Sequence, residues 1–371
     1  MAPYLHGGDI YSQEIHMDYS VNISPLGLPD GVKKAVRDSL DEFCTYPDSS
    51  CRSLRQALSV FHGIKKEEII CGNGAADLIF QLVQAVKPKK ALVTAPSFQE
   101  YEQALAAVGA EAVRCCLRKE DDFQPDMERW LSLADTSVEM AFICNPNNPT
   151  GQALKSAEVV WMAEICRKKG ILLVVDECFN EFLEEPEEYS VIPYINQYDN
   201  LFILRAFTKI YAMAGFRLGY GISSRQTLFQ KMEGQRQPWS VSGIAQKAGE
   251  AALKEEKYVL RVRKLVLEER GFLEKGLKTC SFSVYPSMAN YLLFYAPGDG
   301  EGEESLYEKM KRRKILLRSC NNYQGLGQGY YRICIRDRKS NEKLLAALAE
   351  EYQPFKDKDR SKLDGKGEKG L

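Results

Sequence analysis

From about residue 70 to 222, short apolar runs alternate with stretches in which apolar residues recur at helical spacing. The runs are Lys90 to Thr94, Met140 to Cys144, Ile171 to Val175 and Leu201 to Leu204. Between them Ala75, Leu78, Ile79, Leu82, Val83 and Val86 mark one face of a helix, as do Val159, Met162, Ala163 and Cys166 before a stop at Gly170. Buried strands alternating with amphipathic helices predict βα repeats, hence an α/β fold around a mainly parallel sheet covered by helices. Further on the pattern changes. A charged helical stretch over about Ala245 to Leu277 leads to an apolar segment from Phe282 to Tyr295, a helix near Ser305 to Arg313, and strands at Ile315 to Ser319 and Tyr330 to Arg336. This part reads as a smaller α+β domain. The expected division is an N-terminal arm (1–45), a large domain (46–250), a small domain (251–355) and a tail (356–371) whose Lys, Asp, Gly and Glu leave little to bury and predict disorder.

Composition narrows the partners. With 371 residues the chain can bury a sizeable core, and its 50 Lys and Arg nearly cancel 51 Asp and Glu to a formal charge of −1. Interspersed charges of both signs argue against a nucleic-acid footprint or a membrane-surface patch. The apolar runs fall far short of the roughly 18 residues that a spanning helix needs, and no charged-then-apolar leader opens the sequence. Eleven Cys are scattered through hydrophobic segments without a C-x-x-C pair, so neither a disulfide framework nor a zinc ribbon is expected. A reducing cytoplasm is the expected location. Three histidines, His6, His16 and His62, argue against a histidine-rich metal site, and no metal is expected.

Four features stand at or just beyond strand ends, where open α/β sheets bind ligands. Gly72-Asn73-Gly74 precedes the helix from Ala75, giving close backbone approach and free N–H groups suited to a phosphate, although such a turn is often only a turn. Asn145-Pro146-Asn147-Asn148-Pro149-Thr150-Gly151 makes a rigid, carboxamide-rich loop. Asp176 ends the run from Ile171 and could cap a helix, ligate a metal or hold a proton on a heteroaromatic nitrogen. Lys209, in Arg205-Ala206-Phe207-Thr208-Lys209, lies beyond a strand and before an apolar stretch, so its amine can be desolvated toward Schiff-base chemistry. A reactive lysine, an acid, a carboxamide and a phosphate cup completed by Arg217 are together what pyridoxal phosphate requires.

On these residues the chain resembles the fold-type-I pyridoxal-phosphate enzymes of the class I/II aminotransferase superfamily. The resemblance implies that Lys209 binds the cofactor covalently, Asp176 pairs with the pyridine nitrogen and Asn148 contacts the ring hydroxyl. It further implies that Phe98, in Ala95-Pro96-Ser97-Phe98, stacks on the ring, and that Gly74, Ala75, Thr208 and Arg217 hold the phosphate. Tyr46, in Tyr46-Pro47-Asp48, would reach the partner's cofactor across a homodimer. Two positions depart from the common pattern: Phe179 stands where a tyrosine often bonds the ring hydroxyl, and Ala206 where a hydroxyl residue often meets the phosphate.

The termini narrow the resemblance. His6-Gly7-Gly8-Asp9, the segment Asp18 to Gly27, and Leu317 to Leu326 followed by Tyr330-Tyr331-Arg332 are similar to the threonine-phosphate decarboxylases of cobalamin biosynthesis, with Gln324 and Asp9 as departures. Histidinol-phosphate aminotransferases share the core. Strand alternation places Arg332 and Arg336 on one face, about 13 Å apart along the strand. Arg332 would fork onto the substrate α-carboxylate. Arg336, with Arg318 and His6, is expected to take a substrate phosphate, and Gly27 to bring its N–H near the carboxylate. The expected reaction is decarboxylation of O-phospho-L-threonine to (R)-1-aminopropan-2-yl phosphate. The alternative is transamination of a phosphorylated substrate such as histidinol phosphate. A non-enzymatic binding protein on the same fold is disfavoured by the intact Lys209, Asp176 and Asn148 set.

Overall fold

A computed structural model describes residues 6–299 and 304–352; the expected disordered tail lies outside the described residues. Seven strands form the main sheet, in the order Ile69–Gly72, Gly219–Ile222, Leu201–Ala206, Leu172–Asp176, Met140–Cys144, Lys90–Ala95, Glu111–Cys116. Gly219–Ile222 runs antiparallel to both neighbours, and every other pairing is parallel. The sheet is mainly parallel, as the apolar runs require.

The central strands are buried along their whole length because both faces are covered. Their side chains divide by the two-residue period. Leu92, Ala141, Ile143, Leu173, Val175 and Ile203 enter one core, while Val93, Met140, Phe142, Leu172, Val174 and Leu204 enter another. The helices Ala75–Val86, Ser156–Lys169 and Gln226–Glu233 contribute apolar faces to these cores. Gly170, at φ +73°, closes the second of these helices where the sequence marks its stop.

The C-terminal part carries an antiparallel four-stranded sheet, ordered Arg318–Ser319, Tyr330–Cys334, Tyr291–Tyr295, Ser283–Val284. Near it the N-terminal strand Met17–Asp18 pairs in parallel with Ile315–Leu316. The arm is thus stitched to the far end of the chain.

Three expectations need correction. The helical stretch from Ala245 to Leu277 is two helices, Gly243–Ala252 and Glu256–Thr279. Glu255 occupies the break, where its Oε1 accepts the Gly31 N–H at 3.0 Å. The segment Ile315 to Ser319 is not one strand, since its first two residues pair with the arm and Arg318–Ser319 joins the four-stranded sheet. The last strand ends at Cys334, short of Arg336.

Candidate functional site

The ends of five strands of the main sheet deliver the site. Gly72 ends the first, and Gly74, at φ +87°, turns the chain into the helix that begins at Ala75. A Cβ on Gly74 would lie 2.9 Å from Arg217 Nη2, and one on Gly219 would lie 2.5 Å from the Ala75 nitrogen. Only glycine permits this approach, which leaves helix N-terminal amides and a guanidinium facing one small volume. Asp77 accepts the Asn73 N–H at 2.8 Å and so fixes the turn. Phe98, Asn148, Asp176, Thr208, Lys209 and Arg217 line one cavity, with Ala75 on its wall.

Asp176 is buried. Its Oδ2 accepts the Tyr101 hydroxyl at 2.7 Å and its Oδ1 accepts the Cys178 N–H at 3.0 Å. Tyr101 is held by stacking on Phe142, centroids 4.8 Å apart, and meets Phe98 edge-on. Sequence reasoning passed over Tyr101, which lies in the first turn of the helix Glu100–Ala107, three residues beyond Phe98. Lys209 comes from the helical turn Phe207–Ile210 that follows strand Leu201–Ala206. Its Nζ stands 5.5 Å from the Phe179 ring centre. Desolvation draws its ammonium below the ordinary lysine range, and the nearby Arg332 and Arg217 charges add to the shift.

The asparagine loop divides its labour. Asn145 bonds the Leu154 backbone in both directions, at 2.9 and 2.8 Å, and Asn147 donates to the Pro96 carbonyl at 3.0 Å. These two brace the loop, and Asn148 alone among the three lines the cavity. Its side-chain oxygen accepts from Arg332 Nη1, while Arg332 Nη2 donates to the Ser20 carbonyl at 2.7 Å. Arg332 Nε is buried without a hydrogen-bond partner, an unfilled demand for an acceptor.

Arg318 is the direct cross-strand neighbour of Arg332. It is buried, donates to the Asn322 Oδ1 at 3.0 Å and to the Ser319 carbonyl, and lies over the Tyr323 ring. His6 is close enough for Arg318 to help lower its pKa, after burial, and its Nδ1 is 3.6 Å from Glu100 Oε1. Arg336 departs from the expectation. Beyond the strand end the two-residue alternation no longer sets its direction, and it donates to the Asp18 carbonyl at 3.2 Å over the Tyr19 ring. Gly27, at φ +70°, directs its N–H to the Ser24 carbonyl at 3.4 Å, and its own carbonyl accepts the Tyr258 hydroxyl. The Ser24 N–H in turn donates to the Lys209 carbonyl at 2.9 Å, which ties this segment to the site. Tyr46 does not enter this chain's cavity; it is 77% exposed and stacked on Trp239, centroids 4.4 Å apart.

Behind the cavity, Arg205 is buried with Glu177 at 2.6 Å and Glu181 at 2.7 Å, and Ser190 joins them. This network braces the strand ends that carry Asp176 and Lys209.

These features fit pyridoxal phosphate: a glycine cradle that a Cβ would fill, an arginine beside helix amides, a positioned buried carboxylate and a desolvated lysine. Among the described residues no cluster of His, Cys, Asp and Glu could hold a metal ion, and no helix is long and apolar enough to cross a membrane. Residues 14–348 match the family Aminotransferase class I and II. The chain is 36% identical over 352 residues to the threonine-phosphate decarboxylase of Salmonella typhimurium, covering 92% of this chain and 95% of that one. It is 31% identical over 364 residues to the histidinol-phosphate aminotransferase of Geobacillus sp., covering 94% and 95%. The solved histidinol-phosphate aminotransferase from Sinorhizobium meliloti in complex with pyridoxal-5'-phosphate superposes with a TM-score of 0.83 at 25% identity, covering 91% of each chain. The chain therefore belongs to the aminotransferase class I and II family and is a pyridoxal-phosphate-dependent enzyme of the fold-type-I architecture.

Proposed function

We propose that the protein decarboxylates O-phospho-L-threonine to (R)-1-aminopropan-2-yl phosphate, the reaction class of its threonine-phosphate decarboxylase relatives and a step toward cobalamin. The observation that carries this reading is the pair of buried arginines, Arg318 and Arg332, side by side on adjacent strands near the Lys209 cavity. Two guanidinium groups so placed suit a substrate with two anionic groups.

When bound, pyridoxal phosphate supplies an electron-accepting ring that takes up the electron pair left when a bond at the substrate Cα breaks. Asp176, oriented by Tyr101 and the Cys178 amide, would face the ring nitrogen, and Arg217 with the Ala75 amide would hold the cofactor phosphate. Lys209, its ammonium drawn below the ordinary lysine range by desolvation, would hold the cofactor and then deliver a proton to Cα. Arg332 would bind the α-carboxylate with its unpartnered Nε. Arg318 and His6 would bind the substrate phosphate, without Arg336. The bond that breaks is the one these anchors hold perpendicular to the ring.

The main sheet belongs to the large domain (46–250) and the antiparallel sheet to the small one (251–355) in this reading. The working form is a cytoplasmic homodimer, in which the exposed Tyr46 and Trp239 pair faces the partner subunit. Transamination of histidinol phosphate is the second reading, supported by the aminotransferase relatives. A substrate panel tests the choice of substrate. O-phospho-L-threonine should give the highest kcat/KM, O-phospho-L-serine should fall within about 10–200-fold because a single methyl separates them, and histidinol phosphate should be inert. A preference for histidinol phosphate would overturn the proposal.

A further inference from the structure

The first turn of helix Glu100–Ala107 joins three parts of the chain. Phe98, just before it, lines the cofactor cavity. Gln99 donates to the Asn322 carbonyl at 2.6 Å, and the Asn322 side chain holds Arg318. Glu100 meets His6 of the N-terminal arm at 3.6 Å, a separation longer than a hydrogen bond. The Glu100 side chain is 15% exposed and His6 52%. The titratable and charged groups around this carboxyl are His6 from the arm, whose own pKa is lowered, Lys209 from its helical turn, Arg318 from the antiparallel sheet and Asp176 from the main sheet, and its charge also reaches the Tyr323 hydroxyl. A carboxyl is therefore set into the wall of the region that Arg318 and His6 make attractive to anions, where a dianion would meet it at close range.

We propose that Glu100 is a specificity-determining residue that couples docking of a substrate phosphate to uptake of one proton from solvent. When the phosphate dianion settles on Arg318 and His6, Glu100 becomes a neutral acid, so no carboxylate is left beside the new anion. This rests on the phosphorylated-substrate reading above. The free site is already poised for the change: burial raises the Glu100 carboxyl to about 7, against the pull of Lys209 and Arg318. Near neutrality a modest extra negative charge tips the remaining carboxylate into its acid form. Phosphorylated ligands should accordingly bind less tightly as pH rises through 7, and unphosphorylated ligands should lack this dependence.

The test titrates the pyridoxal-phosphate-loaded protein calorimetrically with O-phosphoethanolamine, which has an amine and a phosphate but no carboxylate to lose. Runs at pH 7 in two buffers of different ionisation enthalpy count protons. The wild type should take up about half a proton more per site than Glu100→Gln, and between pH 6 and pH 8 its affinity should fall about tenfold relative to that of the variant. An infrared difference spectrum of the wild type should show a protonated carboxyl appearing on binding, a readout independent of how the variant folds. Equal proton uptake in the two proteins, or no new carboxyl band, would overturn the inference. Binding of O-phosphoethanolamine no tighter than ethanolamine would overturn the phosphorylated-substrate reading, and this inference with it.

Discussion

Lys209 carries the reactive amine, and its position above Phe179, desolvated and flanked by Arg217 and Arg332, makes it the first residue to test. Lys209→Ala should lose turnover to background while its far-ultraviolet circular dichroism stays that of the wild type. Wild-type-like turnover in this variant would contradict the assignment. Arg318 is the second. Truncating a buried cation that binds a substrate anion costs about 2–5 kcal/mol, so Arg318→Ala should lower kcat/KM for O-phospho-L-threonine at least about 30-fold more than for L-threonine. Equal losses on the two substrates would mean that Arg318 does not read the phosphate. Arg336→Ala, by contrast, should discriminate little between them, because Arg336 is engaged with Asp18 and Tyr19.

At the scale of elements, the strand ends decide the site, and the ion pairs behind them hold the ends in place. Arg205→Ala would leave the buried Glu177 and the partly buried Glu181 without their cation, at a cost of about 3–5 kcal/mol. A lowered urea midpoint at unchanged slope is the expected outcome, and an unchanged midpoint would show the network to be dispensable. The apolar runs were legible in the sequence because a strand covered on both faces has no polar position to interrupt it, as in Met140–Cys144 and Leu172–Asp176. Three strands of the main sheet were not read. Gly219–Ile222 alternates two glycines with larger residues, its glycines chosen for the approach of Ala75 and Phe202 rather than for strand propensity. Glu111–Cys116 is an edge strand with exposed polar positions, and Ile69–Gly72 is too short to show a period. The cavity residues were legible for a different reason: Asp176 ends a strand and Phe98, Asn148, Thr208 and Lys209 follow within four residues of one, so sequence position already implies spatial position. Contacts between distant segments were not, including Tyr101 on Asp176, Arg332 on Ser20 and Glu100 beside His6.

Over the whole molecule, stability should depend on pH through a partly buried histidine that does not line the cavity. His62 Nε2 lies 2.8 Å from the Tyr220 hydroxyl, and burial, reinforced by Arg205, drives its pKa down to about 3. The unfolded chain takes up this proton near 6.5, whereas the folded chain resists until about 3. The histidine's contribution is therefore complete above 6.5 and is lost as pH falls toward 3. His62→Gln should flatten the fall in urea midpoint between pH 6.5 and 4.5, and an unchanged slope there would assign the acid sensitivity to other groups. Sedimentation equilibrium should return twice the 42.0 kDa chain mass if the Tyr46 and Trp239 face meets a second copy; a monomer at assay concentration with full turnover would contradict that arrangement. The central claim concerns which bond at Cα breaks. The most direct measurement incubates cofactor-loaded protein with O-phospho-L-threonine, with and without 2-oxoglutarate, and follows carbon dioxide and glutamate together. Carbon dioxide released without any need for the keto acid is the predicted result; glutamate formed without carbon dioxide would contradict it and make the protein an aminotransferase.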